Sequence, residues 1–164
     1  MSLIEVENLY KIYNPGENEV RALDGVSLTI ERGEFVAIIG QSGSGKSTFM
    51  NMLGLLDVPS SGRYMLDGID VSTMDDDQLS DIRNKEIGFI FQGFNLIASL
   101  TAQANVELPL VYRGMKEEER HRLSDDALER VNLSNRKKHL PSQMSGGQQQ
   151  RVAIARAVAA RPPI

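Results

Sequence analysis

At 164 residues the chain has room for one domain or a domain and a half, and 41% hydrophobic with 24% charged residues puts it in the globular range. Its formal charge is −4 and it has no cysteine, which excludes disulfide scaffolds, cysteine-ligated zinc and cysteine nucleophiles. The apolar runs fall far short of the ~20 residues that span a bilayer, and Met1–Glu5 matches neither a signal nor a transit peptide, so a soluble, cytoplasmic protein is expected.

Charge is unevenly spread. Residues 1–82 hold 5 basic and 14 acidic side chains, residues 83–164 hold 13 and 8, and no acidic residue follows Glu129. The skew can mark an anionic partner, although solvated helix faces explain it equally well. An acidic chain without an aromatic–basic stripe argues against nucleic acid as partner.

In chain order, Ile4 and Val6 alternate with Glu5 and Glu7, and Val26, Leu28 and Ile30 alternate with Ser27 and Thr29. This period of two predicts half-buried strands, joined through the turn cluster Asn14-Pro15-Gly16-Glu17-Asn18. Phe35–Ile39 is a continuous apolar run, the mark of a parallel strand buried on both faces. A glycine-rich loop follows, then a helix over Lys46–Leu56 with Phe49, Leu53 and Leu56 on one face. Arg63–Leu66 reads as a short strand turning at Asp67-Gly68. Asp75-Asp76-Asp77 reads as the first turn of a helix, where carboxylates complement the dipole; a three-Asp metal site is the sharper alternative. Ile87–Phe91 reads as a second buried strand, ending at Gln92.

Beyond Leu96 the pattern becomes helical. Pro109 should kink or interrupt a helix over Asn105–Tyr112. Lys116–Val131 turns Leu123, Leu128 and Val131 inward, opposite the solvated run Glu117–Arg120. His121 and His139 lie in polar surroundings without a second ligand at metal spacing. Ser142–Gln148 is a small-residue turn, and Gln149–Ala160 a helix with Val152, Ile154, Ala155 and Ala159 inward.

Three features carry chemistry. Gly40-Gln41-Ser42-Gly43-Ser44-Gly45-Lys46-Ser47 matches G-x-x-x-x-G-K-[ST] at every fixed position, after an apolar run and before a helix. Glycines let successive backbone N–H groups converge on phosphate oxygens, the helix start adds its positive dipole end, and Lys46 supplies a compact charge. The Ser47 hydroxyl can ligate Mg²⁺. Nucleotide binding follows, but not the class of nucleotide enzyme. Gln92 stands at a strand end, where parallel sheets bind ligands, and could complete a magnesium shell or position a water. Met144-Ser145-Gly146-Gly147-Gln148 precedes a helix and makes a second anion-receiving start about 100 residues after the first. One triphosphate does not need two such sites, so a second copy's phosphates are its natural target, which implies a dimer.

Taken together, Gly40–Ser47, Gln92 and Ser145–Gln148 resemble the nucleotide-binding subunit of ATP-binding cassette (ABC) transporters over essentially the whole chain. The resemblance implies an α/β P-loop NTPase fold: a RecA-like parallel core, an N-terminal antiparallel β part and an α-helical subdomain, incomplete at the C-terminus. The implied parts are 1–95 (antiparallel part and P-loop core), 96–143 (helical subdomain) and 144–164 (signature and its helix). It implies that Tyr13 stacks on adenine, and that Ser42, Gly43, Ser44, Gly45, Lys46, Ser47 and Thr48 hold ATP. Ser47 and Gln92 serve Mg²⁺, Gln92 being the catalytic-site glutamine that faces a membrane permease. Ser145, Gly146, Gly147 and Gln148 close over the ATP of a second copy. Met144 stands where the family usually has Leu. Gly54–Gly62 and Ile87–Ile97 resemble the lipoprotein-releasing and macrolide-exporter branch. The implied protein is an ATPase on the inner face of the membrane; a second reading is an ATP-switched clamp of the same fold without transport. A generic P-loop kinase leaves Ser145–Gln148 unexplained.

In the family, an Asp-Glu strand with the general base, an aspartate loop and a switch histidine follow a segment like Arg161–Ile164. None can lie within 1–164. The expectations are therefore that 1–164 is a truncated piece, that it binds nucleotide without efficient turnover, and that Phe35–Ile39 and Phe89–Phe91 each expose a hydrogen-bonding edge. As a free polypeptide it should be marginal or aggregation-prone.

Overall fold

The alternating segments at the start of the chain form a long antiparallel hairpin, β1 (Ser2–Tyr13) and β2 (Val20–Glu31). Ile4 pairs with Ile30 and Val6 with Leu28, so the apolar sides of both strands share one face. The turn cluster at its tip includes Glu17, which lies outside the described residues; the computed structural model describes 2–16 and 18–164. β3 (Ser61–Leu66) adds antiparallel to β1, with Tyr64 opposite Val6, and β4 (Ile69–Asp70) closes the order β2-β1-β3-β4. Asp67 (φ 47°) and Gly68 (φ 79°) make the two-residue turn between β3 and β4. Two successive left-handed residues match the twist of a hairpin.

The described residues divide into two compact units between Ser80 and Asp81. In the first, Leu9, Met52, Tyr64 and Leu66 are almost wholly buried. Each such side chain contributes about 2 kcal/mol. α1 (Lys46–Leu53) buries Phe49 and Met52. The predicted phase fails at its end: Gly54 stops the helix, Leu55 turns left-handed (φ 53°) and is buried, and Leu56 is exposed. The Tyr64 hydroxyl donates to the Leu53 carbonyl (2.9 Å), tying β3 to the end of α1. α2 (Asp76–Glu86) starts as expected from the acidic turn. Asp75 caps it: the Gln78 amide donates to Oδ1 (2.9 Å), and the Asp75 amide donates to Gln78 Oε1 (3.1 Å).

The second unit is a helical cluster of α3 (Ala102–Tyr112), α4 (Glu117–Arg130) and α5 (Gly146–Ala159), with short 3-10 turns at Ser134–Arg136 and Pro141–Gln143. Val106, Leu110, Leu128, Leu133, Val152 and Ala155 form its dry centre. Pro109 does not interrupt α3; it sits in the last turns, and its own carbonyl still accepts the Arg113 amide (3.2 Å). In α5, Ala153 is buried and Ile154 only half-buried, so the inward stripe is rotated slightly from the predicted one.

Neither predicted parallel strand lies in a ladder among the described residues. Phe35 is 98% and Ile39 90% exposed, the reverse of a strand buried on both faces. An apolar run records what its side chains prefer; burial also needs neighbouring strands to supply it. At the start of Ile87–Phe91 a parallel pattern exists at one residue: the Ile164 amide donates to the Glu86 carbonyl (3.2 Å) and the Gly88 amide to the Ile164 carbonyl (2.8 Å), bracketing Ile87. Gly88 must be glycine there, because a Cβ would stand 2.5 Å from the Ala157 carbonyl oxygen. No helix of the described residues is long and apolar enough to cross a membrane.

Candidate functional site

The glycine loop is shaped by its backbone. Gly43 (φ 80°) and Gly45 (φ 83°) are left-handed, which L side chains rarely tolerate. At Gly45 a Cβ would also collide with the Ala22 carbonyl oxygen on β2, and at Gly40 a Cβ would stand 2.6 Å from Ser44 Oγ. Gly45 is the N-cap of α1, so the loop opens directly onto the positive end of that helix. Lys46 folds back over the loop, its ammonium donating to the Gln41 carbonyl (2.6 Å) and towards Ser44 Oγ (3.4 Å). A cation folded over a glycine-rich loop at a helix start suits phosphate oxygens. Ser42, Gly43, Ser44 and Ser47 are exposed along it, with Thr48 half-buried.

Tyr13, at the end of β1, belongs to the same unit and is 39% exposed. Its hydroxyl donates to Asp57 Oδ2 (3.0 Å), and Lys11 donates to Asp57 Oδ1 (2.7 Å) while lying 5.0 Å from the Tyr13 ring centroid. Partial burial pushes the Asp57 carboxyl up, but bonds from Lys11, the Val58 amide and Tyr13 outweigh it and hold it below its ordinary value. The sequence had offered Asp57 only within a family-like stretch; a lone carboxylate between Leu56 and Val58 was the available signal.

Gln92 is exposed in a turn of the second unit, so nothing places it against the glycine loop. The turn closes through the Phe94 amide to Phe91 (3.0 Å) and the Asn95 amide to Gly93 (2.7 Å). Phe94 (φ 64°) and Asn95 (φ 49°) are both left-handed. Arg156 of α5 donates to both their carbonyls, a contact that no sequence pattern had indicated.

Ser145 is the N-cap of α5. Its hydroxyl accepts from the Gln148 amide (3.3 Å), and Gln148 Oε1 accepts from the Ser145 amide (2.9 Å). Gly146 and Gly147 follow, both exposed, and a Cβ at either would meet nothing within 4 Å. The two glycines therefore leave open space for an approaching group; their own packing does not demand them.

For magnesium, the first unit offers the Ser47 hydroxyl beside the glycine loop, an oxygen donor of the kind that suits an ion held mainly by phosphates and water, and the second unit offers the Gln92 amide oxygen separately. The three-Asp alternative is not formed: Asp75 caps α2, Asp76 and Asp77 lie in its first turn, and no group of three His, Cys, Asp or Glu among the described residues could hold a metal.

The sequence profile described as ABC transporter matches residues 23–164. A macrolide export ATP-binding/permease protein, MacB, of Hyphomonas neptunium is 56% identical over 156 residues, covering 95% of this chain and 24% of that protein. An uncharacterized ABC transporter ATP-binding protein of Thermotoga maritima is 51% identical over 160 residues, covering 98% and 68%. The chain thus spans about a quarter of the length of the MacB relatives it matches. Among solved structures, the dimeric post-hydrolysis state of the ATP-binding cassette MJ0796 bound to ADP and Pi superposes with a TM-score of 0.90 at 48% identity, covering 97% of this chain and 70% of that one. A second dimeric structure of the same cassette gives 0.90 at 49%.

Proposed function

Because the chain belongs to the ABC transporter family and has its cassette fold, we propose that it is the ATP-binding part of an exporter, hydrolysing ATP to drive a membrane permease. The observation that carries this reading is the glycine loop: left-handed Gly43 and Gly45, an open helix start, and Lys46 arched over the loop. The loop amides and Lys46 grip the β- and γ-phosphates, and Tyr13 offers its ring to adenine. Mg²⁺, which the Ser47 hydroxyl would help to hold, would supply charge neutralisation at the transferring phosphoryl group. Gln92 orients the attacking water.

The capped start of α5 is the second half of a shared site. Ser145 and Gln148 satisfy each other, so the start is preformed, and the space over Gly146 and Gly147 suits the triphosphate on another copy. Two copies then close around two ATP molecules, with the Gln92 region facing the permease at the cytoplasmic side of the membrane. The macrolide-export relatives favour transport over a clamp without it.

The test is equilibrium ATP binding by the full-length protein. Lys46→Ala should weaken it about thirtyfold, the size of one charged hydrogen bond of about 2 kcal/mol. Unchanged affinity would remove the phosphate assignment.

A further inference from the structure

We propose that Arg156 is a positioning residue that holds the Gln92 turn in its working conformation and ties it to the helix of Ser145; this rests on the reading of Gln92 given above. Two consecutive non-glycine residues in the left-handed region, Phe94 and Asn95, cost backbone energy that the turn's own two amide bonds and a further contact together offset. Their carbonyls both accept from one guanidinium: Arg156 Nη2 donates to Phe94 (2.8 Å) and Nη1 to Asn95 (2.7 Å). A planar fork with two parallel donors reads the pair of carbonyls together, so it binds this turn shape and not an unrolled one. Lysine, with one nitrogen on a flexible stem, cannot do so.

The support behind the fork is rigid. Val152, Ala155 and Ala159 of α5 sit in the dry centre of the helical cluster, so the base of the Arg156 side chain is fixed. On the far side of the loop the buried Asn105 accepts the Ile97 amide (2.8 Å) and donates to the Ile97, Leu100 and Thr101 carbonyls. The loop is therefore pinned at 94–95 and at 97, while Gln92 and Gly93 stay exposed. Ser145 and Arg156 are eleven residues apart, three turns of one helix, hence on the same side and about 16 Å apart along the axis. A tilt of α5 as its start engages nucleotide carries the Gln92 turn with it. This couples the state of one nucleotide site to the glutamine that serves the other.

The test compares the full-length protein with Arg156→Lys, Gln92→Ala and the double variant, with Arg156→Gln as a second substitution should the lysine form not fold. Amide exchange at residues 94–97 should rise in the Arg156 variant while α5 stays protected; unchanged exchange there, or loss of protection throughout α5, overturns the hold. ATP turnover should fall about fivefold with ATP affinity unchanged, and the double variant should be no slower than Gln92→Ala alone. Losses that multiply, or an Arg156 variant with normal turnover, overturn the coupling. If Gln92→Ala itself turns over normally, the reading of Gln92 falls and the coupling falls with it, whereas the exchange result still reports whether Arg156 holds the turn.

Discussion

At the scale of single residues, Tyr13 shows how an exposed ring is made into a surface. Asp57 holds its hydroxyl edge and Lys11 lies over one face, while the residue as a whole stays 39% exposed. Asp57→Ala should weaken ATP binding about fivefold, the loss of roughly 1 kcal/mol, and leave the affinity for inorganic triphosphate unchanged. Competition between the two ligands in an equilibrium titration separates the outcomes; equal losses would mean that Asp57 acts on the loop and not on the ring. Because the Asp57 carboxyl is depressed, the tether persists throughout the neutral range and is lost only as pH falls through that lowered value.

At the scale of elements, α3 and α4 are joined by a polar contact inside an otherwise apolar cluster. The buried Glu107 accepts from Ser124 Oγ (2.9 Å) and contacts His121 Nδ1 (2.6 Å), with Glu117 3.4 Å from the other ring nitrogen. The hydrogen bond and charge of Glu107 raise the His121 pKa above its ordinary 6.5. A raised folded value stabilises fully below 6.5 and loses its contribution as pH climbs through the raised value. Thermal unfolding of the full-length protein should therefore show a decline in stability above neutral pH that His121→Gln abolishes. A wild-type profile identical to that of the variant would mean the pair contributes nothing.

The same elements show what a sequence reveals. The hairpin and the acidic start of α2 were legible because each is written in adjacent residues, an alternation and a dipole, whereas α5 was read as starting at Gln149 and in fact starts at Gly146, capped by Ser145. The glycine loop was legible for the same reason. Arg156 was not, because its partners lie 61 and 62 residues away and are backbone carbonyls, which have no side-chain signature. Of the kink or interruption expected at Pro109, the interruption does not occur, because helix propensity is local, whereas the burial of Val106 and Leu110 that holds α3 is not. The apolar runs at 35–39 and 87–91 were read as buried parallel strands, and neither lies in a ladder among the described residues, because pairing depends on neighbours that periodicity cannot supply.

At the scale of the whole molecule, those unpaired runs govern solution behaviour. Phe35, Ile39 and Ile90 present exposed apolar side chains on backbone that lies outside any ladder among the described residues. A polypeptide of residues 1–164 should self-associate, with sedimentation showing species larger than a monomer that grow with concentration. Charged substitutions at Phe35 and Ile39 should reduce them; a monodisperse, cooperatively unfolding monomer would contradict this.

The contact beneath Gly45 bears on how this cassette can change over time. The obstacle to a side chain there is a main-chain oxygen of Ala22, and every amino acid carries that same oxygen. No exchange at position 22 can make room, so a cell crippled at codon 45 has no route back through its strand neighbour. Second-site revertants would have to shift the hairpin itself, and the two ends of this contact are free to diverge in sequence only on the strand side.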